Sequence, residues 1–111
     1  MDPGLMLGCA VGAAVGGLVL ALALWQIRTG DVRFLHGYHY IHVPSAARPA
    51  LARESGRWLA AIGIIVILLG FSLLLPAPAS DVVSAILVAA LLAAIAMCCR
   101  AIIRYNGSLF G

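Results

Sequence analysis

Polar positions in this chain are few and grouped, and three long apolar runs lie between them. The first is Gly4 to Trp25, GLMLGCAVGAAVGGLVLALALW, 22 residues without a charge. At about 1.5 Å per residue a helix of that length covers about 33 Å, enough for a hydrocarbon core of about 30 Å. The second, Trp58 to Leu75, has 18 residues and is stopped by Pro76 and Pro78. The third, Val82 to Cys99, also has 18, with Asp81 before it and Arg100 after it. None alternates as a strand would, and each is long enough to predict a spanning helix rather than a buried core helix. Backbone polar groups in lipid must satisfy one another within the segment, so these runs are read as α-helices. The predicted fold is an all-α integral membrane protein. It has one membrane domain over residues 1–111, with spans at about 4–25, 58–75 and 82–99. A loop covers 26–57, a short turn 76–81 and a tail 100–111.

Composition sharpens this picture. Hydrophobic residues make up 64 % of the 111 residues and charged residues only 10 %, and the mean hydropathy is +1.11. Soluble domains carry about 25 % charged residues. So few charges exclude a water-soluble domain and, despite a pI near 9.1, a nucleic-acid partner. The charges present are sorted. Arg28, Arg33, Arg48, Arg53 and Arg57 lie in the first loop, Arg100 and Arg104 in the tail, and none in the turn or the N-terminal stub. The positive-inside rule then gives an N-terminus outside, first loop inside, turn outside and C-terminus in the cytoplasm of a plasma membrane. Trp25 and Trp58 are placed at the inner interface, with Arg53 and Arg57 beside anionic headgroups. Residues 1–8 carry no Lys or Arg, so the first run reads as a retained span, not a cleaved signal.

The spans carry packing signals. Gly4, Gly8, Gly12 and Gly16 recur every four residues and share one helix face. A face without side chains lets another backbone approach closely, a main source of helix association in lipid. Ala85, Ala89 and Ala93 form a matching stripe on the third span, which is the expected partner of the glycine face. A homo-oligomeric seam, or contact with another membrane protein, is the competing use. The second span is bulkier and is expected to face lipid, although Gly63 and Gly70 lie seven apart on one stripe. No Asp, Glu, Lys, Arg or His interrupts 5–24, 59–75 or 82–97, which argues against a proton-coupled transporter. Ser72 and Ser84 are expected to bond to preceding helix carbonyls.

Chemical variety is confined to the loop. His36, Gly37, Tyr38, His39, Tyr40, His42 and Pro44 fall in one short stretch. The spacing His-x2-His-x2-His offers three imidazoles to Zn²⁺ or Cu²⁺. On a helix, however, three such positions spread over about 240°, so no metal is assigned and these histidines stay weak candidates beside an interfacial reading. No cofactor is expected. Residues 45–57 read as a short helix at the interface, with Ser45 as a cap, Pro49 in the first turn and Gly56 as a bend into the second span. Glu54 is expected to pair with Arg57, one turn away.

Leu35-His36-Gly37-Tyr38-His39-Tyr40, then Val43-Pro44, then Arg53 and Gly56 before a second span, resemble a family of short bacterial three-span membrane proteins of unknown function. That family carries a Gly-Tyr motif after the first span. The stretch also resembles, more loosely, the immunity family that protects against the sporulation-delaying toxin, whose Gly-Tyr is followed by Arg-Thr, absent here. The resemblance implies a three-span membrane protein and brings no established activity and no catalytic residues. With no nucleophile–base pair and no carboxylate dyad, no enzyme is expected. The expectation is a non-enzymatic membrane protein acting by helix–helix contacts, an accessory or immunity-like factor. The alternatives are a holin-like pore or lysis protein and a metal- or pH-responsive protein using the loop histidines. Cys98 and Cys99 are expected to stay reduced, and Asn106-Gly107 reads as a helix stop.

Overall fold

A computed structural model describes residues 3–31 and 43–107. Three helices account for almost all of it: α1 (Pro3–Thr29), α2 (Arg48–Ser72) and α3 (Ala79–Asn106). A single 3₁₀ turn, Ser45–Ala47, leads into α2. Each helix is long and apolar enough to cross a membrane. The bundle is an elongated body of 51 × 22 × 19 Å.

The helix ends follow local chemistry. α1 is closed by Gly30 at φ 67°, whose N–H donates to the Gln26 carbonyl at 2.9 Å. This left-handed position suits glycine because it lacks a Cβ. Pro49 lies in the first turn of α2, where its missing N–H costs nothing. At the other end Leu73, Leu74 and Leu75 donate to the carbonyls three residues back, so the helix tightens and stops before Pro76. The N–H groups of Ser80 and Val82 reach back to the carbonyls of Pro76 and Pro78, and α3 starts there. α3 ends on Gly107 at φ 86°, the stop expected from Asn106-Gly107.

α2 is the middle helix, with α1 and α3 each packed on it. This corrects the expectation that the bulky second span faces lipid. Ile64 and Leu68 are exposed, but the opposite side of α2 carries Gly56, Gly63 and Gly70, all buried. Adjacent helices run antiparallel, so one end of the bundle gathers the C-terminal ends of α1 and α3 with the N-terminal end of α2. Arg28, Arg48, Arg53, Arg57, Arg100 and Arg104 belong to this arginine end. The opposite end is the turn from Leu73 to Pro78.

No separate interfacial helix precedes the second span among the described residues. α2 is continuous from Arg48 through Gly56 to Ser72. Its first turns dock on α3 instead of lying alone: Leu51 and Ala52 are fully buried with Val43, Cys98 and Ile102, and Ala47 and Trp58 pack against them. The line Ala47, Leu51, Trp58 therefore meets protein. Gly56 is no bend either. A Cβ there would lie 2.8 Å from Ile27 Cγ1, so its small size serves the contact with α1.

Candidate functional site

The face of α1 that carries glycines closes on the glycine face of α2. A Cβ at Gly16 would come within 2.6 Å of the Gly63 carbonyl oxygen, and one at Gly12 within 2.9 Å of the Gly70 Cα. One at Gly63 would meet the Gly16 oxygen at 2.8 Å. These atoms are backbone and cannot swing aside. Gly8 faces Leu73, and the Cys9 thiol donates to the Gly70 carbonyl at 3.1 Å. Gly4 is exposed in the first turn, and Gly17 has no neighbour where a Cβ would stand.

The third span does not partner this seam. Ala85, Ala89 and Ala93 are exposed, and α3 docks on α2 through Ala94, Cys98, Ala101 and Ile102 instead. The physical reason is side-chain complementarity. This face brings Ser84 to Ser72 at 2.9 Å, Cys98 to the Ser55 carbonyl and Ile102 into the cluster around Leu51. The Ser72 hydroxyl donates to the Leu69 carbonyl at 2.7 Å, as expected. Its single proton is thereby spent, so Ser84 is the donor between the two hydroxyls. That pair joins two helices and was not foreseen.

Three helices meet around Ser55. The Gln26 amide Nε2 donates to the Ala52 carbonyl at 2.8 Å and to Ser55 Oγ at 2.9 Å. Ser55 Oγ donates to the Leu51 carbonyl at 2.7 Å. The Cys98 thiol donates to the Ser55 carbonyl at 3.8 Å. Gln26 is 1 % exposed, and its Oε1 has no acceptor role among the described residues. Helical period was the available signal: Gln26 continues the face of Gly16 and Ala23, and Ser55 adjoins the first of three glycines seven residues apart.

An open groove lies at the arginine end, of about 590 Å³, lined by Ala50, Arg53, Glu54, Arg57, Trp58 and Ala61 of α2 and Tyr105 of α3. Five of these positions carry polar or aromatic groups at the level where the apolar run of α2 begins. The partner of Glu54 is not Arg57, as its spacing suggests, but Arg104 across the groove. Arg104 also lies 5.4 Å from the centroid of the Tyr105 ring, a cation–π distance. Arg53 and Arg57 are exposed, and Trp58 and Tyr105 are half-buried. Trp25 is half-buried near the end of α1. The three cysteines are free.

The motif residues His36, Gly37, Tyr38, His39, Tyr40 and His42 lie outside the described residues. Pro44 is exposed, and the adjoining Val43 is buried against Leu51 and Ile102. The Val43 carbonyl accepts from Arg48 Nε at 3.3 Å, so the exit of the loop is tied to the bundle. No group of three or more potential metal ligands occurs among the described residues.

The fold and these contacts define an all-helical multi-pass membrane protein. No family model, curated protein or solved structure matches the chain.

Proposed function

We propose that the protein is a small, non-enzymatic factor of the cytoplasmic membrane that acts by helix–helix contacts, as an accessory or immunity-like protein. The observation that carries this reading is the placement of α3. Its stripe Ala85, Ala89, Ala93 is uncovered, whereas Gly8, Gly12 and Gly16 of α1 are taken up by contacts with α2 and Leu73. A small-residue face toward lipid lets another helix approach closely. Large apolar side chains flank it, with Ile86 and Leu92 both 63 % exposed. The occupant is a second copy or another membrane protein. The resemblance of residues 34–70 to the three-span Gly-Tyr family and to the toxin-immunity family belongs to the same reading. So does the orientation, N-terminus outside and C-terminus in the cytoplasm, because the arginines gather at one end.

Cysteine crosslinking in native membranes tests the contact, starting from a chain with Cys9, Cys98 and Cys99 replaced by Ala. Single cysteines at Ala85, Ala89 or Ala93 are expected to give a crosslinked species, and one at Gly17 of α1, with open space where its Cβ would stand, is not. A strict monomer at all three positions removes the reading. A C-terminal green-fluorescent fusion reports orientation separately, since it should fluoresce only in the cytoplasm.

A further inference from the structure

We propose that the groove at the arginine end is a binding site for the phosphate headgroup of an anionic phospholipid, held by Arg53 and Arg57. The lining residues of α2 fall at Ala50, Arg53, Glu54, Arg57, Trp58 and Ala61, the spacing of a single helix face. Arg53 and Arg57 are one turn apart on that face. Four carboxylic side chains exist in the chain, at Asp2, Asp31, Glu54 and Asp81. The one in the groove, Glu54, is engaged by Arg104 from α3. No carboxylate among the described residues pairs with Arg53 or Arg57, so among these residues two guanidinium groups flank the groove outside any ion pair. Each offers a planar fork of donors that matches two phosphate oxygens.

The rest of the lining distinguishes a lipid from a soluble anion. Trp58 opens the uninterrupted apolar run of α2, and Ala61 lies one turn further along it. An acyl chain attached to the phosphate can therefore continue past Trp58 and Ala61 along lipid-facing helix. Trp58 and Tyr105, from two different helices, supply the amphipathic rings typical of headgroup level. The volume of about 590 Å³ suits a phosphate with a small polar substituent. Two arginines outside any ion pair among the described residues, aromatic walls and an apolar floor are the chemistry of phosphatidylglycerol-type recognition. This inference rests on membrane embedding but not on a helix partner or on orientation.

The test uses the purified full-length chain in detergent, titrated with phosphatidylglycerol or phosphatidylcholine of equal chain length and read by native mass spectrometry. Wild type is expected to retain phosphatidylglycerol about thirtyfold more strongly, as two interfacial arginines imply. The pair R53Q with R57Q should bring the two lipids level. The pair R28Q with R100Q removes the same charge outside the groove and should leave the preference intact. Ala61→Trp keeps every charge but fills the floor, and should weaken phosphatidylglycerol retention. Equal retention of both lipids by wild type, or equal loss in the R28Q/R100Q pair, overturns the proposal. Displacement by inorganic phosphate at equal concentration also overturns it, because the site would then be one for a soluble anion. Carbonate extraction of the source membranes reports embedding independently, so failure of that premise is recognised separately.

Discussion

At the arginine end the helices meet through side chains. Leu51, Gln26 and Ser55 are the largest fully buried side chains, and they join Val43, Cys98 and Ile102 in one cluster that touches all three helices. Toward the turn, α1 and α2 approach closely along Gly8, Gly12 and Gly16 against Gly63 and Gly70, with backbone against backbone at Gly12 and Gly16 and the Ile67 and Leu73 side chains laid on Gly16 and Gly8. The difference reflects two solvents. At a water-facing end, burying Leu51 and Ile102 removes apolar surface from water, worth about 25 cal/mol per Å². Inside the bilayer, lipid tails are as apolar as leucine, so side-chain burial gains little and close backbone contact supplies the attraction. Polar groups differ as well: Gln26 and Ser55 lie at the arginine end, and toward the turn Cys9, Ser72 and Ser84 each have a hydrogen-bond partner.

This contrast can be broken most sharply at Gly16. Gly16→Leu forces backbone apart and should cost about 3 kcal/mol or more, read as a lower SDS midpoint in mixed-micelle unfolding. Gly17→Leu, one residue away with free space, should change the midpoint little; equal loss at both positions would falsify the seam. Leu51→Ala is next, at about 2–3 kcal/mol from lost packing and a cavity. The matching change at exposed Leu68 should be close to neutral in lipid, so a large loss there would mean that α2 is turned differently. A double-mutant cycle of Gln26→Met with Ser55→Ala should give a coupling of about 0.6–1.7 kcal/mol, the range for hydrogen bonds between membrane helices. Ser84→Ala should have the smallest effect, below about 1 kcal/mol, since Ser72 keeps its bond to the Leu69 carbonyl; an effect as large as that of Leu51→Ala would shift the weight of the fold to the turn.

The glycine stripe of α1 was readable because four-residue spacing has one meaning on a helix. Its partner was not. α3 is rich in alanine on several faces, so Ala85, Ala89 and Ala93 looked as suitable as the face that docks. The choice fell to Ser84, Cys98 and Ile102, whose partners lie far away in sequence. α2 was misjudged for the same reason: its isoleucines and leucines dominate the composition, yet three glycines decide which side turns inward. Glu54 shows the effect at one residue, where a neighbour on α2 lost to Arg104 on α3.

The sequence by itself determined three helices, their approximate ends at Pro49, Pro76 and Gly107, and the gathering of arginines at one end of an antiparallel bundle. These follow from local rules: run length, backbone self-satisfaction in lipid and capping. Only the tertiary structure decided that α2 is central, that α1 closes on it through glycine, and that Ser55 is where three helices join. Periodicity says which residues share a face. Which of several apolar faces is used depends on the shape and polar groups of a helix far along the chain, and that is settled only when the helices meet.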